Sequence, residues 1–323
     1  MTAIEIEQPP VIPRDVKPYD AQTLLIDLEP TAARLLERHL KIATEWFPHD
    51  YIPYSLGRDF DKEPWTPDQP RLSGVARTAF EVNLLTEDNL PSYHRLIHGM
   101  VGRGDGAWMN WVGRWTAEEG RHAIVLRDYL VVTRNLDPIA LERSRMRLLQ
   151  QGYERESTDL LRGLAYVALQ EVATRAGHRN TGRYSDDPVA DKIMLRISTD
   201  ENLHATFYRD ILAAAAEALP SATVEAVVAE IMCFEMPGAG AGIESFRRKA
   251  AEIALAGIYD TRIHHDEVVM PLVRKLRIFE LEGLTPEAEA ARNDLSAFLV
   301  SLDASATRLE ERRARTGQAE LRA

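Results

Sequence analysis

Apolar residues along this 323-residue chain fall at the three- and four-residue spacings of helices, and no stretch sustains the alternate-residue pattern of a strand bounded by Asn-Gly or Asp-Gly turns. Two helix starts are well marked. Asp187 and Pro188 form an N-cap and first-turn pair ahead of VADKIMLRISTDENLHATFYRDILAAAAEAL, a run that ends at Pro220. Thr285 and Pro286 open a last long helix through EAEAARNDLSAFLVSLDASATRLEERRAR in the same way. Proline and glycine gather between such runs, at FPHDYIPYSLGRDFDKEPWTPDQP and MPGAGAG, more than inside them. The pattern predicts an all-α bundle with loops on its ends. No shift in composition marks an internal boundary, so residues 21–315 are expected to form one domain. An extended arm over 1–20 precedes it, and a polar, frayed tail over 316–323 follows.

Composition narrows the picture. At 45% hydrophobic the chain can bury a substantial core, yet no stretch approaches the roughly 18 consecutive apolar residues of a membrane helix. Even ILAAAAEAL is short and broken by Glu217. The net charge of -11 and pI near 5.4 argue against nucleic-acid binding. The same field repels an acidic partner unless a local basic patch overrides it. Cys233 is the one cysteine, which excludes an internal disulfide framework and a Cys-based zinc or iron–sulfur site. That fits a reducing cytosol, and the amino-terminal segment lacks the basic start and apolar run of a signal peptide, so a cytoplasmic protein is expected.

The chemistry resides in two Glu-x-x-His motifs: Glu119 to His122 in WTAEEGRHAIVL, and Glu201 to His204 in STDENLHATFY. Residues three apart on a helix are surface neighbours, so each motif sets a carboxylate beside an imidazole. Alone the motif says little, because 29 Glu and nine His in 323 residues supply roughly one such pair by chance. The repeat around it says more. Glu87, in LLTEDNLPSYHRL, lies 119 - 87 = 32 residues before the first motif, and Glu171, in VALQEVATRAG, lies 201 - 171 = 30 before the second. A helix with a lone Glu followed by a helix with Glu-x-x-His, twice over, is how ferritin-like di-iron and di-manganese proteins build their site. Four carboxylates and two imidazoles, mostly hard oxygen donors, suit iron or manganese better than zinc or copper. Glu118 and Asp200 each directly precede a motif Glu; pseudo-twofold symmetry pairs Asp200 with His122 and Glu118 with His204. Pro91, four residues after Glu87, removes the amide that would bond the Glu87 carbonyl, so a helix through both should bend there.

From about TEWFPHDYIP to TRLEERR the chain resembles the soluble acyl-[acyl-carrier-protein] desaturases, the actinobacterial branch most closely. TEDNLPSYH, WTAEEGRH, LQEVATRAGH and TDENLH fall in that family's order and at similar spacing. The resemblance implies a ferritin-like four-helix di-iron bundle with additional helices, and two irons per chain on Glu87, Glu119, His122, Glu171, Glu201 and His204, sites that manganese or zinc can take in place of iron on isolation. It further implies Thr174 beside the oxygen-binding face, and Trp46 as the point of electron input through Asp200 to His122. The implied protein is a homodimer that takes two electrons from ferredoxin, activates dioxygen and leaves a cis double bond in a fatty acyl chain held on acyl carrier protein.

Some positions depart from the family. Met232, Cys233, Phe234 and Glu235 stand where a Lys- and Arg-rich segment is usual, and Val172 and Leu203 replace arginines beside the ligands. The basic segment is a plausible carrier contact, so its loss bears on docking. A di-iron hydroxylase and a metal-binding paralogue with altered carrier docking are the alternatives, and a ferritin-like metal store is disfavoured by the extra helical sequence.

Overall fold

The computed structural model describes residues 19–101, 106–153, 159–240 and 242–320, all helix, turn or loop. The arm expected over 1–20 lies outside the described residues but for its last two. Of the tail expected over 316–323, residues 316–320 continue the last helix and 321–323 lie outside the described residues.

Three 3₁₀ turns aside, the elements in order are α1 (Ala21–Ile42), α2 (Gly74–Asp88), α3 (Leu90–Val101), α4 (Ala107–Val132), α5 (Pro138–Gln151), α6 (Leu160–Tyr184), α7 (Pro188–Ala218) and α8 (Pro220–Cys233). They continue with the one-turn α9 (Pro237–Gly240), α10 (Phe246–Leu255), α11 (Thr261–Ile263), α12 (Met270–Lys275) and α13 (Pro286–Glu320). Between α11 and α12, His264–Val269 opens into a π-helical turn in which the Met270 amide reaches back to the His265 carbonyl; Pro271, which has no amide to give, follows at once. None of the described helices is long and apolar enough to cross a membrane.

Side-chain caps place the helix starts that the sequence marks. Asp187 accepts from the amides of Val189 and Ala190 at 2.8 and 2.9 Å, with Pro188 in the first turn of α7. Thr285 caps Ala288 at 3.3 Å, ahead of Pro286. The α7 run stops at Ala218, and Pro220 begins α8. MPGAGAG, expected as loop, contributes the short α9.

α6 and α7, joined by three residues, form an antiparallel hairpin of about 40 Å at 1.5 Å per residue. Gly182 lets them close at the joined end, since a Cβ there would meet Met194 Cβ at 2.7 Å and the Asp191 backbone at 3.2 Å. α2, α4, α7 and α6 pack in a ring, while α1 lies along α4 and α7, α8 backs onto α6, and α13 packs on α8. The main core, including Trp108, Trp111, Trp115, Leu164, Phe207 and Ile211, fills one end of this ring; Phe80, Leu126, Tyr129 and Ile193 fill the other. At about 1.5–3 kcal/mol per fully buried large apolar side chain, this packing can offset the carboxylates held between the two ends.

The bend expected at Pro91 is a full break. α2 ends at Asp88, Asn89 takes a non-helical conformation, and its carbonyl restarts the chain by accepting from Ser92 and Tyr93 at 2.9 and 3.3 Å. Glu87 thus sits on the last turn of α2, the one candidate ligand beside an interrupted helix.

Candidate metal centre

Each ring helix sends acidic or imidazole groups inward: Glu87 from α2, Glu119 and His122 from α4, Glu171 from α6, and Glu201 and His204 from α7. All six are buried, at 6% exposure or less. Their ligand atoms form two overlapping groups, Glu87–Glu119–His122–Glu201 and Glu119–Glu171–Glu201–His204, each within 4.8 Å across. Glu119 and Glu201 belong to both. His122 Nδ1 lies 3.4 Å from Glu119, 3.7 Å from Glu87 and 3.7 Å from Glu201. His204 Nδ1 lies 2.8 Å from Glu119, 3.5 Å from Glu171 and 3.8 Å from Glu201.

Those inward atoms are mostly without hydrogen bonds. His122 Nδ1, His204 Nδ1, Glu119 Oε1, Glu171 Oε2 and both oxygens of Glu201 have no hydrogen-bond partner among the described residues. Buried polar atoms are nearly always satisfied, and six converging exceptions define a place for cations. Charge agrees: two divalent cations would neutralise four carboxylates that are otherwise costly to bury together. Burial and then the facing carboxylate charge push Glu119 and Glu201 above the usual carboxylate range. Against the cost of burial, the same carboxylates hold His122 and His204 well above the ordinary imidazole value. The cluster is therefore built to attract positive charge, as protons or as metal.

The outward ring atoms face carboxylates. His204 Nε2 is 3.0 Å from Glu118 Oε2, and His122 Nε2 is 3.4 Å from Asp200 Oδ2. An ionised carboxylate only accepts, so each Nε2 carries the proton and each Nδ1 is left to face the cluster. Both carboxylates are buried at 2% exposure and braced by cations, Glu118 by Arg114 at 2.5 Å and Asp200 by Arg196 and, at 3.4 Å, Arg121. Although burial works the other way, the hydrogen bond and charge of His122 bring Asp200 down to about 2. Trp46 Nε1 donates to Asp200 Oδ2 at 2.7 Å, and its ring lies nearly parallel to His122 at 6.3 Å under the Arg121 guanidinium. Thr174 is buried on α6, with its hydroxyl bonded to the Gln170 and Glu171 carbonyls at 3.0 and 3.2 Å.

Three neighbours were not singled out from sequence. His178 Nε2 bonds Glu87 Oε1 at 2.7 Å and lies 3.6 Å from Glu201. Its position seven residues after Glu171, two turns along one face, was the available signal. Trp115 donates to Glu171 Oε1 at 3.0 Å, from one turn before Glu119. His39, on α1, places Nε2 2.9 Å from Glu118 Oε2; α1 stands outside the repeat, and nothing in local spacing marks this residue.

Beside Glu87, Thr174 and His178 lies an apolar cavity of about 80 Å³, walled by Ala79 and Val82 of α2, Met236, and Phe246 and Ile253 of α10.

A family model for fatty acid desaturases matches residues 20–323. DesA1 of Mycobacterium tuberculosis, named for acyl-[acyl-carrier-protein] desaturation, is 46% identical over 313 residues, which cover 91% of this chain and 92% of that one. Acyl-[acyl-carrier-protein] desaturase 7, chloroplastic, of Oryza sativa is 31% identical over 312 residues, covering 90% and 76%. The crystal structure of DesA2 from Mycobacterium tuberculosis superposes with a TM-score of 0.66 at 29% identity, over 83% of this chain and 99% of that one.

Proposed function

Because the chain belongs to the fatty acid desaturase family, we propose that it places a cis double bond in a fatty acyl chain carried on acyl carrier protein, using dioxygen and two electrons from ferredoxin. The observation that carries this reading is the convergence of Glu87, Glu171 and both Glu-x-x-His motifs on one buried, unsatisfied cluster beside an apolar cavity. Two irons, when bound, supply the oxygen chemistry that strips hydrogen from an unactivated methylene, which acid–base side chains cannot do.

The protein's own groups have separable tasks. Glu119 and Glu201, common to both ligand groups, would serve both metals, and Glu87 with His122 and Glu171 with His204 would complete one subsite each. Asp200 and Glu118 fix the imidazole rings and their protons. Thr174 borders the cavity on the oxygen-binding side. Trp46, joined to Asp200 and stacked toward His122, marks where electrons come in. Because methylenes carry no polar handle, the cavity walls select them by fit. The working form is a cytoplasmic homodimer.

One observation favours a second reading, a metal-binding paralogue with altered carrier docking. Phe234 packs on Tyr166 and His264, at 5.7 and 5.1 Å between ring centroids, and Glu235 is exposed, where the family's basic segment would lie. Anaerobic iron(II) titration followed by oxygen, a reducing system and stearoyl carrier substrate separates the two. About two irons per chain with an unsaturated product supports the desaturase. The same iron with oxygen consumed and no unsaturated product supports another substrate, carrier or reaction. Failure to bind two metals sinks the site assignment.

A further inference from the structure

Two residues beyond Glu87 the chain buries polar atoms whose hydrogen-bonding capacity the described residues leave largely unused. Asn89 is wholly buried with its side chain facing the Tyr93 hydroxyl, and beyond that mutual contact neither Oδ1 and Nδ2 of Asn89 nor the phenolic oxygen of Tyr93 has a hydrogen-bond partner among the described residues. The main chain explains none of this, since the Asn89 amide bonds the Thr86 carbonyl and the Asn89 carbonyl accepts from Ser92 and Tyr93. The helix break at Pro91 holds this side chain inside, where an apolar residue would leave no polar atom to satisfy. Buried groups of this kind, with two or more polar partners converging, are the usual seat of ordered internal water.

From Tyr93 a row of phenols leads outward. Tyr93 stands edge-on to Tyr153 at 5.4 Å, the Tyr153 hydroxyl donates to that of Tyr166 at 3.1 Å, and the Tyr166 hydroxyl donates to the carbonyl of exposed Glu235 at 3.4 Å. The metal cluster otherwise has little contact with solvent, its ligands being 6% exposed or less. Desaturation nevertheless moves protons and water. One dioxygen, two electrons from the donor protein, two protons from solvent and two hydrogens from adjacent methylenes yield one carbon–carbon double bond and two waters.

We propose that Asn89 and Tyr93 bind ordered water beside Glu87 and, with Tyr153 and Tyr166, form the path by which protons enter the cluster and product water leaves it. The relay rests on the desaturase reading; the water site does not. A phenol, with its ordinary pKa of about 10, stays protonated near neutral pH, so protons pass by hydroxyl exchange and not by ionisation.

The test combines a crystal structure of the metal-loaded protein with the variants Asn89→Leu and Tyr93→Phe, each checked for unchanged metal content and melting temperature. The expected result is an ordered water within hydrogen-bond distance of the Asn89 amide and the Tyr93 hydroxyl. In both variants the yield of unsaturated product per electron should fall at least about threefold, with peroxide released and a larger solvent deuterium effect on a single turnover. A dry pocket in the crystal overturns the water site. Unchanged coupling and isotope effect overturn the relay, as does altered chain-length or bond-position selectivity at unchanged coupling, which would make the phenols channel wall. If the wild-type protein forms no unsaturated product, the desaturase reading fails, and the crystallographic water still decides the site.

Discussion

The two halves of the cluster share a ligand set and differ in what surrounds it. On one side Glu87 ends an interrupted helix and is held by a histidine, His178, while Asp200 behind His122 is tied to Trp46 and two arginines. On the other side Glu171 lies within the unbroken α6 and is held by Trp115; Glu118 behind His204 is tied to His39 and Arg114. The Glu87 half borders the apolar cavity and an unwound turn, and the Glu171 half is set in continuous helix and aromatic packing with Trp111 and Tyr208. A repeated helical pattern thus supplies two equal ligand sets, and single residues outside the repeat make their surroundings unequal.

The two carboxylates common to both candidate ligand groups offer the largest break. Glu119→Ala or Glu201→Ala removes a ligand from both subsites, so metal content should fall from about two per chain to nearly none, whereas Glu87→Ala or Glu171→Ala should leave about one. Elemental analysis after gel filtration reads this directly. Loss of one metal only in the bridging variants would contradict the shared role. In metal-free protein the same bridging substitutions should raise the melting temperature, since Glu119 and Glu201 are buried against like charge.

Next come the carboxylates behind the imidazoles. Asp200→Asn and Glu118→Gln should each weaken metal binding about 10–100-fold, the first at the His122 subsite and the second at the His204 subsite. Trp46→Phe replaces the indole with a phenyl ring and deletes the 2.7 Å bond to Asp200. It should spare metal content and slow reduction of the loaded cluster by a protein donor, which stopped-flow absorbance would follow. Reduction at the wild-type rate would return Trp46 to a packing role.

pH separates the halves without any change of ligand, because His178 titrates and Trp115 does not. Against its burial, the hydrogen bonds His178 donates to Glu201 and Glu87, and their charge, raise it from 6.5 to about 9. A raised imidazole contributes stability that is fully present below pH 6.5 and is lost as pH rises through about 9. Metal-free protein should therefore lose on the order of 3 kcal/mol across that window, and His178→Gln should flatten it. Urea titrations at pH 6 and 9.5 measure both; an equal slope in wild type and variant would assign the loss to another group.

Legibility in the sequence followed the same division. Helices carry a 3.6-residue period, so Glu87, Glu119, His122, Glu171, Glu201 and His204 could be placed on inward faces from spacing alone, and the doublets at Glu118 and Asp200 from symmetry. The comparison with known desaturases adds the family. What departs from the period was harder to see. His39 reaches Glu118 from a helix 79 residues away, a tertiary contact with no local trace. His178 was within reach of the helical argument, but a histidine with no Glu-x-x-His partner resembles any other helix histidine. Pro91 announced a distortion; that it amounts to a break, with Asn89 turned inward, depends on packing around α3 that one chain segment cannot report.

The smallest expected effect tests that break. Pro91 occupies the first turn of α3, where proline costs a helix little, so Pro91→Ala should change stability by less than about 1 kcal/mol. Alanine restores the amide that could bond the Glu87 carbonyl, favouring one continuous helix from α2 into α3 and pulling Glu87 toward the geometry of Glu171. Metal content should stay the same. If the interruption is what makes the halves unequal, the two metals, loaded stepwise and followed by Mössbauer spectroscopy with iron-57, should become more alike in Pro91→Ala than in the wild type. Spectra that remain as distinct as before would trace the asymmetry to His178 against Trp115, and His178→Gln in the same experiment would then be the variant that narrows it.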